Sequence, residues 1–468
     1  MGEGTRGGSA ERTPRTAGNT VAPGVGDDAR RAGRVGGFTE ISDGLPRPPD
    51  YPGEVTFPRL GVIGGGQLAR MMAAPAAELG VPFRVLAEAE DSSAAQVAPH
   101  EVGDHTDLAT LRAFASTVDV LTFDHEHVPT EHLRALESLD VAVHPGPDAL
   151  QYAQDKLLMR EAVERLGLPN PAWAAVDTLE DVVAFGDEHG WPMILKTPRG
   201  GYDGKGVLTL DDADDARASA ADGTLGTWLA ADITPLLAEA LVPFARELSV
   251  QVARTPSGEV AAYPVVESVQ TAGVCDLVIA PAPDLDPAVA AAASAAAARI
   301  AEELGVTGML AVELFETPGV GPGFQVNELA MRPHNSGHWS MDGAVTGQFE
   351  QHVRAVLGLP LGETAPRGTV VMKNILGGAR EDLYAGFAEA MAAHPAAKVH
   401  TYGKDVSPGR KVGHVNVVAA PGEALADVVA EAESAAAILR YGAEAAPSSS
   451  TRPTTPDATA SDTLEARP

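Results

Sequence analysis

The chain has 468 residues, enough for two or three domains and a sizeable core. Its 34 basic against 64 acidic side chains leave a net charge of -30. That balance excludes non-specific binding to nucleic acid or an anionic membrane, and any anionic substrate must meet a local cluster of cations. The single cysteine, Cys275, excludes an internal disulfide and fits a reducing cytoplasm.

Residues 1–56 are rich in Gly, Arg, Pro, Ala and Thr without apolar periodicity, and read as an extension with no fixed structure. They contain no apolar segment of the kind that directs secretion, and no apolar run in the chain reaches the roughly 18 residues of a membrane span. Folded sequence begins at Phe57. RLGVIGGGQLARMMAAPAAELG predicts a strand, a glycine turn and a helix, and PFRVLAEAE a second strand ending in Glu88 and Glu90. Gly64, Gly66 and Ala69 satisfy GxGxxA, and an acid follows about 20 residues on, so a nicotinamide-dependent oxidoreductase is one reading of this segment. The same turn can also approach any phosphate, or none.

VDVLTFDHEHV is a further strand with Asp124, His125, Glu126 and His127 at its C-terminal end, where open α/β sheets bind ligands. Alternating His and acid suggests a metal site, but nothing nearby in the sequence supplies the remaining ligands, and a polar loop at a sheet edge is the simpler reading. The pattern changes from Gln151, and QDKLLMREAVERLGLPNPAW, which starts at Gln154, predicts an amphipathic helix with Lys156 near its start. WPMILKTPRGGYDGKGVLTL gives two strand-like runs around a glycine-rich loop, with Lys196 ending the first. Such a loop can wrap its amides around an anion, with Arg199 and Lys205 supplying charge. It lacks the GxxxxGK[ST] of a P-loop.

LLAEALVPFARELSVQVAR carries Glu239 and then a strand with Glu247, and residues 287–304 form an alanine-rich packing helix. Next, AVELFETPGVGPGFQVNELAM reads as a β-hairpin. A turn centred on Val320 and Gly321 puts Glu313 opposite Glu328 and Phe315 opposite Val326. Cross-strand partners lie about 5 Å apart, so two facing carboxylates need a neutralising group, and a hard divalent cation held by carboxylates and nucleotide phosphates would serve. Arg332 and Asn335 follow shortly after. A solvated hairpin whose two glutamates never meet is the plain alternative. The last globular stretch contains short strands and a final helix, and SPGRKVGH presents Arg410, Lys411 and His414 together.

Taken in order, GGGQLARM, QDK, KTPRGGYDGKG, PFARELS, VELFE, NELAMRPHNSGHW and PGRKVGH resemble the N5-carboxyaminoimidazole ribonucleotide synthetase family of ATP-grasp ligases, over about residues 57–435. The resemblance implies an α/β and α+β architecture: a Rossmann-like pre-ATP-grasp domain over 57–150, an ATP-grasp domain over 151–365, a small C-terminal domain over 366–440, and a disordered tail at 441–468. It implies ATP, bicarbonate and aminoimidazole ribonucleotide (AIR) as substrates, with Mg2+, or Mn2+ in its place, as the metal. It also implies a cytoplasmic homodimer with no nucleic-acid or membrane partner.

Carried over by motif, Lys156 and Lys196 would contact the ATP phosphates, Glu239 and the backbone near Val242 the adenine, and Glu247 the ribose. Glu313 and Glu328 would hold the metal. Arg332, His334, Asn335 and Lys205 would act at the reacting groups, while Tyr202, Asp203, Lys404, Arg410, Lys411 and Glu126 would meet AIR. The glycine-rich loop would close as a lid over carboxyphosphate. Ser407 stands where the family often has Arg, which shifts substrate-phosphate contact toward Lys404, and EALV lacks the second acid usual at the adenine hinge. A related ATP-grasp ligase, the formate-dependent glycinamide ribonucleotide transformylase, shares the lysines and metal acids but not HNSGHW followed by PGRKVGH.

Overall fold

Alternation between buried strands and amphipathic helices produces three sheets among the described residues. The computed structural model describes residues 57–443 except Asp140, 201–205, Asp232 and Ala272. Both expected extensions fall outside it, apart from the first residues of the tail, and so do Tyr202, Asp203 and Lys205.

The first sheet is parallel, in the order β3-β2-β1-β4-β5, formed by β1 (Leu60–Ile63), β2 (Phe83–Ala87), β3 (His100–Val102), β4 (Val120–Phe123) and β5 (Ala142–Val143). Its central strands β1 and β4 are buried throughout, as a sheet covered on both faces requires. Gly64 follows β1 at φ 105°, and the helix Gln67–Glu78 starts three residues later. The anion-binding position at that helix start is filled by the protein itself. Asp124 Oδ1 accepts the Ala69 N–H at 2.8 Å, and a Cβ on Gly66 would lie 2.0 Å from Asp124 Oδ2. Glu88 accepts the Gly65 N–H at 3.1 Å. The two features of the dinucleotide reading, the open glycine turn and the downstream acid, are thus spent on internal contacts.

The second sheet is antiparallel, ordered β6-β9-β7-β8, from β6 (Trp173–Val176), β7 (Met193–Lys196), β8 (Val207–Leu210) and β9 (Leu236–Ala240). It has its own apolar cluster, in which Phe185, Leu195, Leu210 and Leu236 meet. The third sheet has nine strands: β10 (Arg246–Arg254), β11 (Val260–Ala262), β12 (Val266–Thr271), β13 (Val274–Ala280), β14 (Gly308–Glu316), β15 (Phe324–Ala330), β16 (Val370–Leu376), β17 (Lys398–Thr401) and β18 (Lys411–Val418). Its order is β15-β14-β10-β12-β13-β16-β18-β17, with β11 on β10. The hairpin β14–β15 and the last strands of the chain therefore belong to one continuous surface. The alanine-rich helix Pro287–Glu303 buries Ala293, Ala297 and Ile300 against this sheet's larger core, and Leu425–Tyr441 packs Val428, Ala432 and Leu439 near its other end.

The amphipathic helix expected over QDKLLMREAVERLG is Lys156–Arg165, and a separate helix stands before it. Pro147–Gln154 ends at Asp155, whose backbone is extended (φ -133°, ψ 113°) and whose carboxylate accepts the Leu157 and Leu158 N–H groups as the N-cap of Lys156–Arg165. This restart places Lys156 on the first turn of the second helix.

The self-capped glycine turn is testable. Gly66→Ala should destabilise the chain by about 1–3 kcal/mol through overpacking against Asp124. In an Asp124→Ala background the same substitution should add almost nothing, which paired denaturation curves would read as a coupling between the two positions.

Candidate functional site

Glu313 on β14 pairs with Glu328 on β15, as the turn count gives, but Phe315 does not meet Val326. Leu314 pairs with Val326 and Phe315 with Gln325, because β15 carries a bulge in which Asn327 has no partner. A bulge re-aims side chains at a sheet rim, and here both Asn327 and Glu328 face the same cavity. The bulge is held by Arg160, fully buried on the helix Lys156–Arg165. Its guanidinium donates to Val326 O at 2.7 Å, Asn327 O at 2.8 Å, Asn170 Oδ1 at 3.0 Å and Glu239 Oε1 at 2.5 Å. Bonds in all directions of its plane satisfy the fork, which is what allows an ion to be buried there.

The lysines are placed by the same network. Lys156 Nζ lies 3.1 Å from Glu328 Oε1, and Lys196 Nζ lies 2.7 Å from Glu239 Oε2 and 3.3 Å from Asn327 Oδ1. Burial alone would raise the Glu239 carboxyl, but Lys196 and Arg160 outweigh it and hold it below the usual range. Glu313 behaves in the opposite way: burial, with Glu328 and Glu247 nearby, pushes it up to about 8. Glu247 on β10 is pushed to about 7, again chiefly by burial. Two half-buried acids at one end of the site thus hold protons that a cation could replace.

Beyond the hairpin, Arg332 donates through Nε to Glu126 at 2.8 Å, joining the third sheet to the end of β4. Glu126, expected at the substrate, is therefore the partner of the arginine expected at the reacting groups. His334 Nε2 lies 3.4 Å from Glu313 Oε1, and its Nδ1 is 2.8 Å from Ser336 Oγ. Gln348 fixes its backbone, accepting His334 N–H at 3.0 Å and donating to His334 O at 2.8 Å. Burial, with Arg332 and Lys411 adding to it, takes the imidazole down to about 3, so it is neutral at ordinary pH. Asn335 exchanges two hydrogen bonds with Asn374 on β16, at 3.1 and 2.7 Å.

These groups line one cavity of about 1150 Å³: Glu126 from the loop after β4, Lys156, Lys196, Glu239, Val242, Glu247, Glu313, Glu328, Arg332, His334, Asn335 and Lys411. The remaining expected residues stand differently. Lys404 does not line the cavity but bonds Gln67, which does. Arg410 points away, exposed, with its guanidinium 3.2 Å from Asp405 O. His414 is not presented with the basic turn at all: it is fully buried on β18, with its Nδ1 2.9 Å from the Tyr402 hydroxyl oxygen. The turn before β18 leaves Arg410 in solvent, while a bulge at Val412 keeps His414 on the same face as Lys411 but pairs it between Asn374 of β16 and His400 of β17, where it is buried. At the far end, Phe244 and Phe315 stack at 4.7 Å and 16°, and with Ile194 and Val242 they form an apolar slot of the kind that takes a flat ring.

Sequence reasoning missed Arg160, Asn327 and Phe244. Arg160 lies four residues after Lys156, one helical turn, and that spacing was the available signal for it. No pattern announces a bulge in a hairpin whose turn residues allow more than one register.

Three family models divide the chain: a ribonucleotide synthetase preATP-grasp domain over residues 57–154, an ATP-grasp domain over 161–349 and a phosphoribosylaminoimidazole carboxylase C-terminal domain over 370–427. The N5-carboxyaminoimidazole ribonucleotide synthase of Mycobacterium tuberculosis is 48% identical over 394 residues, which are 82% of this chain and 88% of the relative. Among solved structures, the N5-carboxyaminoimidazole ribonucleotide synthetase of Thermus thermophilus matches with a TM-score of 0.71 at 39% identity, covering 80% of this chain and 97% of that one. The Aspergillus clavatus enzyme in complex with ADP and 5-aminoimidazole ribonucleotide matches with a TM-score of 0.71 at 31% identity, covering 83% of this chain and 99% of that one. With the cavity, the hairpin acids and the three matched domains in agreement, the chain belongs to the N5-carboxyaminoimidazole ribonucleotide synthase family, ligases built on the ATP-grasp fold.

Proposed function

We propose that this chain condenses AIR with bicarbonate at the expense of ATP, giving N5-carboxyaminoimidazole ribonucleotide, ADP and phosphate in purine biosynthesis. The observation that carries the reading is the Glu313–Glu328 pair beside Lys156, with Lys196 and a neutral His334 in the same cavity, which is large enough for a nucleotide and a second substrate. A bicarbonate oxygen attacks the γ-phosphorus and ADP leaves, giving carboxyphosphate. Carboxyphosphate breaks to CO2 and phosphate, and the AIR amine adds to CO2 and loses a proton to give the carbamate.

Phosphoryl transfer needs alignment and charge neutralisation more than covalent help from the protein. Lys156 and Lys196 would hold the phosphates, the Phe244–Phe315 slot and the Val242 backbone the adenine, and Glu247 the ribose. Arg332, fixed by Glu126, would bind bicarbonate, with His334 as a neutral donor and Asn335 as the brace of its turn. Lys411, which lines the cavity, would meet the AIR phosphate, whereas Lys404 and Arg410 stand outside the lining. Glu313 and Glu328 offer only oxygen donors at cross-strand distance, which fits Mg2+, with Mn2+ as its substitute. Bound there, the ion would neutralise the charge that develops on the transferred phosphoryl group. A homodimer in the cytoplasm completes the proposal; no helix among the described residues is long and apolar enough to cross a membrane.

ADP release by the purified chain with MgATP and bicarbonate tests the reaction: strong stimulation by AIR, with an acid-labile carbamate as product, is expected. Stimulation by glycinamide ribonucleotide with formate instead would replace the reading with the transformylase one. Glu328→Ala should reduce Mg2+-dependent ADP formation at least ~100-fold while the variant still folds, on the scale of losing a group that stabilises transition-state charge. Lys411→Ala should raise the KM for AIR more than that for ATP, and equal effects would remove Lys411 from the AIR phosphate.

The raised Glu313 carboxyl gives a pH dependence of known sign. A group that holds its proton more tightly folded than unfolded contributes stability that is fully present below the unfolded value, near 4.5, and is lost as pH rises through about 8. Mg2+ must displace that proton, so titration calorimetry at pH 7 in buffers of different ionisation enthalpy should report proton release on Mg2+ binding, and the release should fall in Glu313→Gln, with any remainder coming from Glu247.

A further inference from the structure

The parallel order of the first sheet brings further ligands to the histidines after β4. Glu88 at the end of β2 and His105 in the loop after β3 close on His125, and one ligand atom from each lies within 4.8 Å of the others. The two imidazole centroids are 4.5 Å apart at 58°, too tilted for stacking, and His125 Nε2 is 3.5 Å from Glu88 Oε1. That nitrogen is buried, and this long contact to Glu88 is the one partner it has among the described residues, too long for a well-formed hydrogen bond. Glu88 is aimed from behind, since its other oxygen accepts the Gly65 N–H at 3.1 Å.

We propose that Glu88, His105 and His125 form a site for one Zn2+-class divalent cation, distinct from the glutamate pair in the cavity. Two nitrogens and one carboxylate oxygen suit Zn2+, Co2+ or Ni2+, whereas Mg2+ prefers an all-oxygen shell. Three protein ligands leave a fourth position for water. Atoms each about 2.1 Å from one ion are at most about 4.2 Å apart, so the ligands must close by several tenths of an ångström. The exposed Glu88 and half-buried His105 have the freedom to do so. A metal on His125 Nε2 places the ring proton on Nδ1, so the His127 N–H contact to that atom, long at 3.2 Å, gives way. The ion would then tie together three strand ends beside the Glu126–Arg332 pair. Its binding does not depend on the reaction proposed above.

Untagged full-length protein, stripped with EDTA and held in excess Mg2+, can be titrated with Zn2+ against a chromophoric chelator. Wild type and Glu328→Ala should each take up one Zn2+ per chain. His105→Ala and Glu88→Gln should bind it far more weakly than the ~10-fold that loss of even an outer partner of a ligand costs, while still binding MgATP. His105→Gln, a milder change of shape, should behave the same way. No uptake by wild type, or equal affinity in wild type and the His105 variants, overturns the site. Uptake lost in Glu328→Ala but kept in His105→Ala would assign the Zn2+ to the glutamate pair and overturn it equally.

Discussion

The buried Arg160 guanidinium sets the geometry on which the site depends. One planar cation takes two successive backbone carbonyls of β15 and a carboxylate of β9, and so ties a helix, the bulged hairpin and the second sheet to one point. A buried charge that keeps all its partners is tolerable; the same charge missing one is costly. The bulge, the direction of Asn327 and the position of Lys196 through Glu239 therefore follow from a single residue that need not touch a substrate.

An acidic chain with an anionic substrate must concentrate its positive charge, and here the concentration is hidden by pairing. Lys156 rests on Glu328, Lys196 on Glu239 and Arg332 on Glu126. On the proposed reading, a nucleotide arriving with its metal supplies a new anion for Lys156 and a new cation for Glu328 together. Binding then becomes an exchange of partners, which avoids exposing a bare charge in a half-buried cavity.

Much of this arrangement was legible in the chain. The period of the strands, the GxGxxA turn and the Glu313–Glu328 pairing follow from side-chain alternation and turn residues, all local properties. The register beyond that pair was not, because a bulge costs one residue and leaves the alternation on either side intact. The helix at Lys156 follows from its amphipathic pattern, whereas sequence reasoning missed the separate helix before it, Pro147–Gln154. Arg410 and His414 were grouped with Lys411 by sequence proximity alone; Arg410 lies in the exposed turn before β18, and His414 lies past a bulge, buried between the neighbouring strands. Glu88 and His105 meet His125 only through the parallel order of the first sheet, a long-range fact that no local spacing encodes.

The ion pair between Arg332 and Glu126 bears on how separable the parts of this chain are. The arginine belongs to the segment after β15 and the glutamate to the loop after β4, so neither the first sheet nor the third is electrostatically self-sufficient at the cavity. A recombinant fragment starting after residue 154 would inherit a largely buried guanidinium without its counter-charge. Modules exchanged between relatives would likewise need matched residues on both sides of this one seam. The unit of inheritance for the site is therefore larger than the ATP-grasp fold that carries most of it.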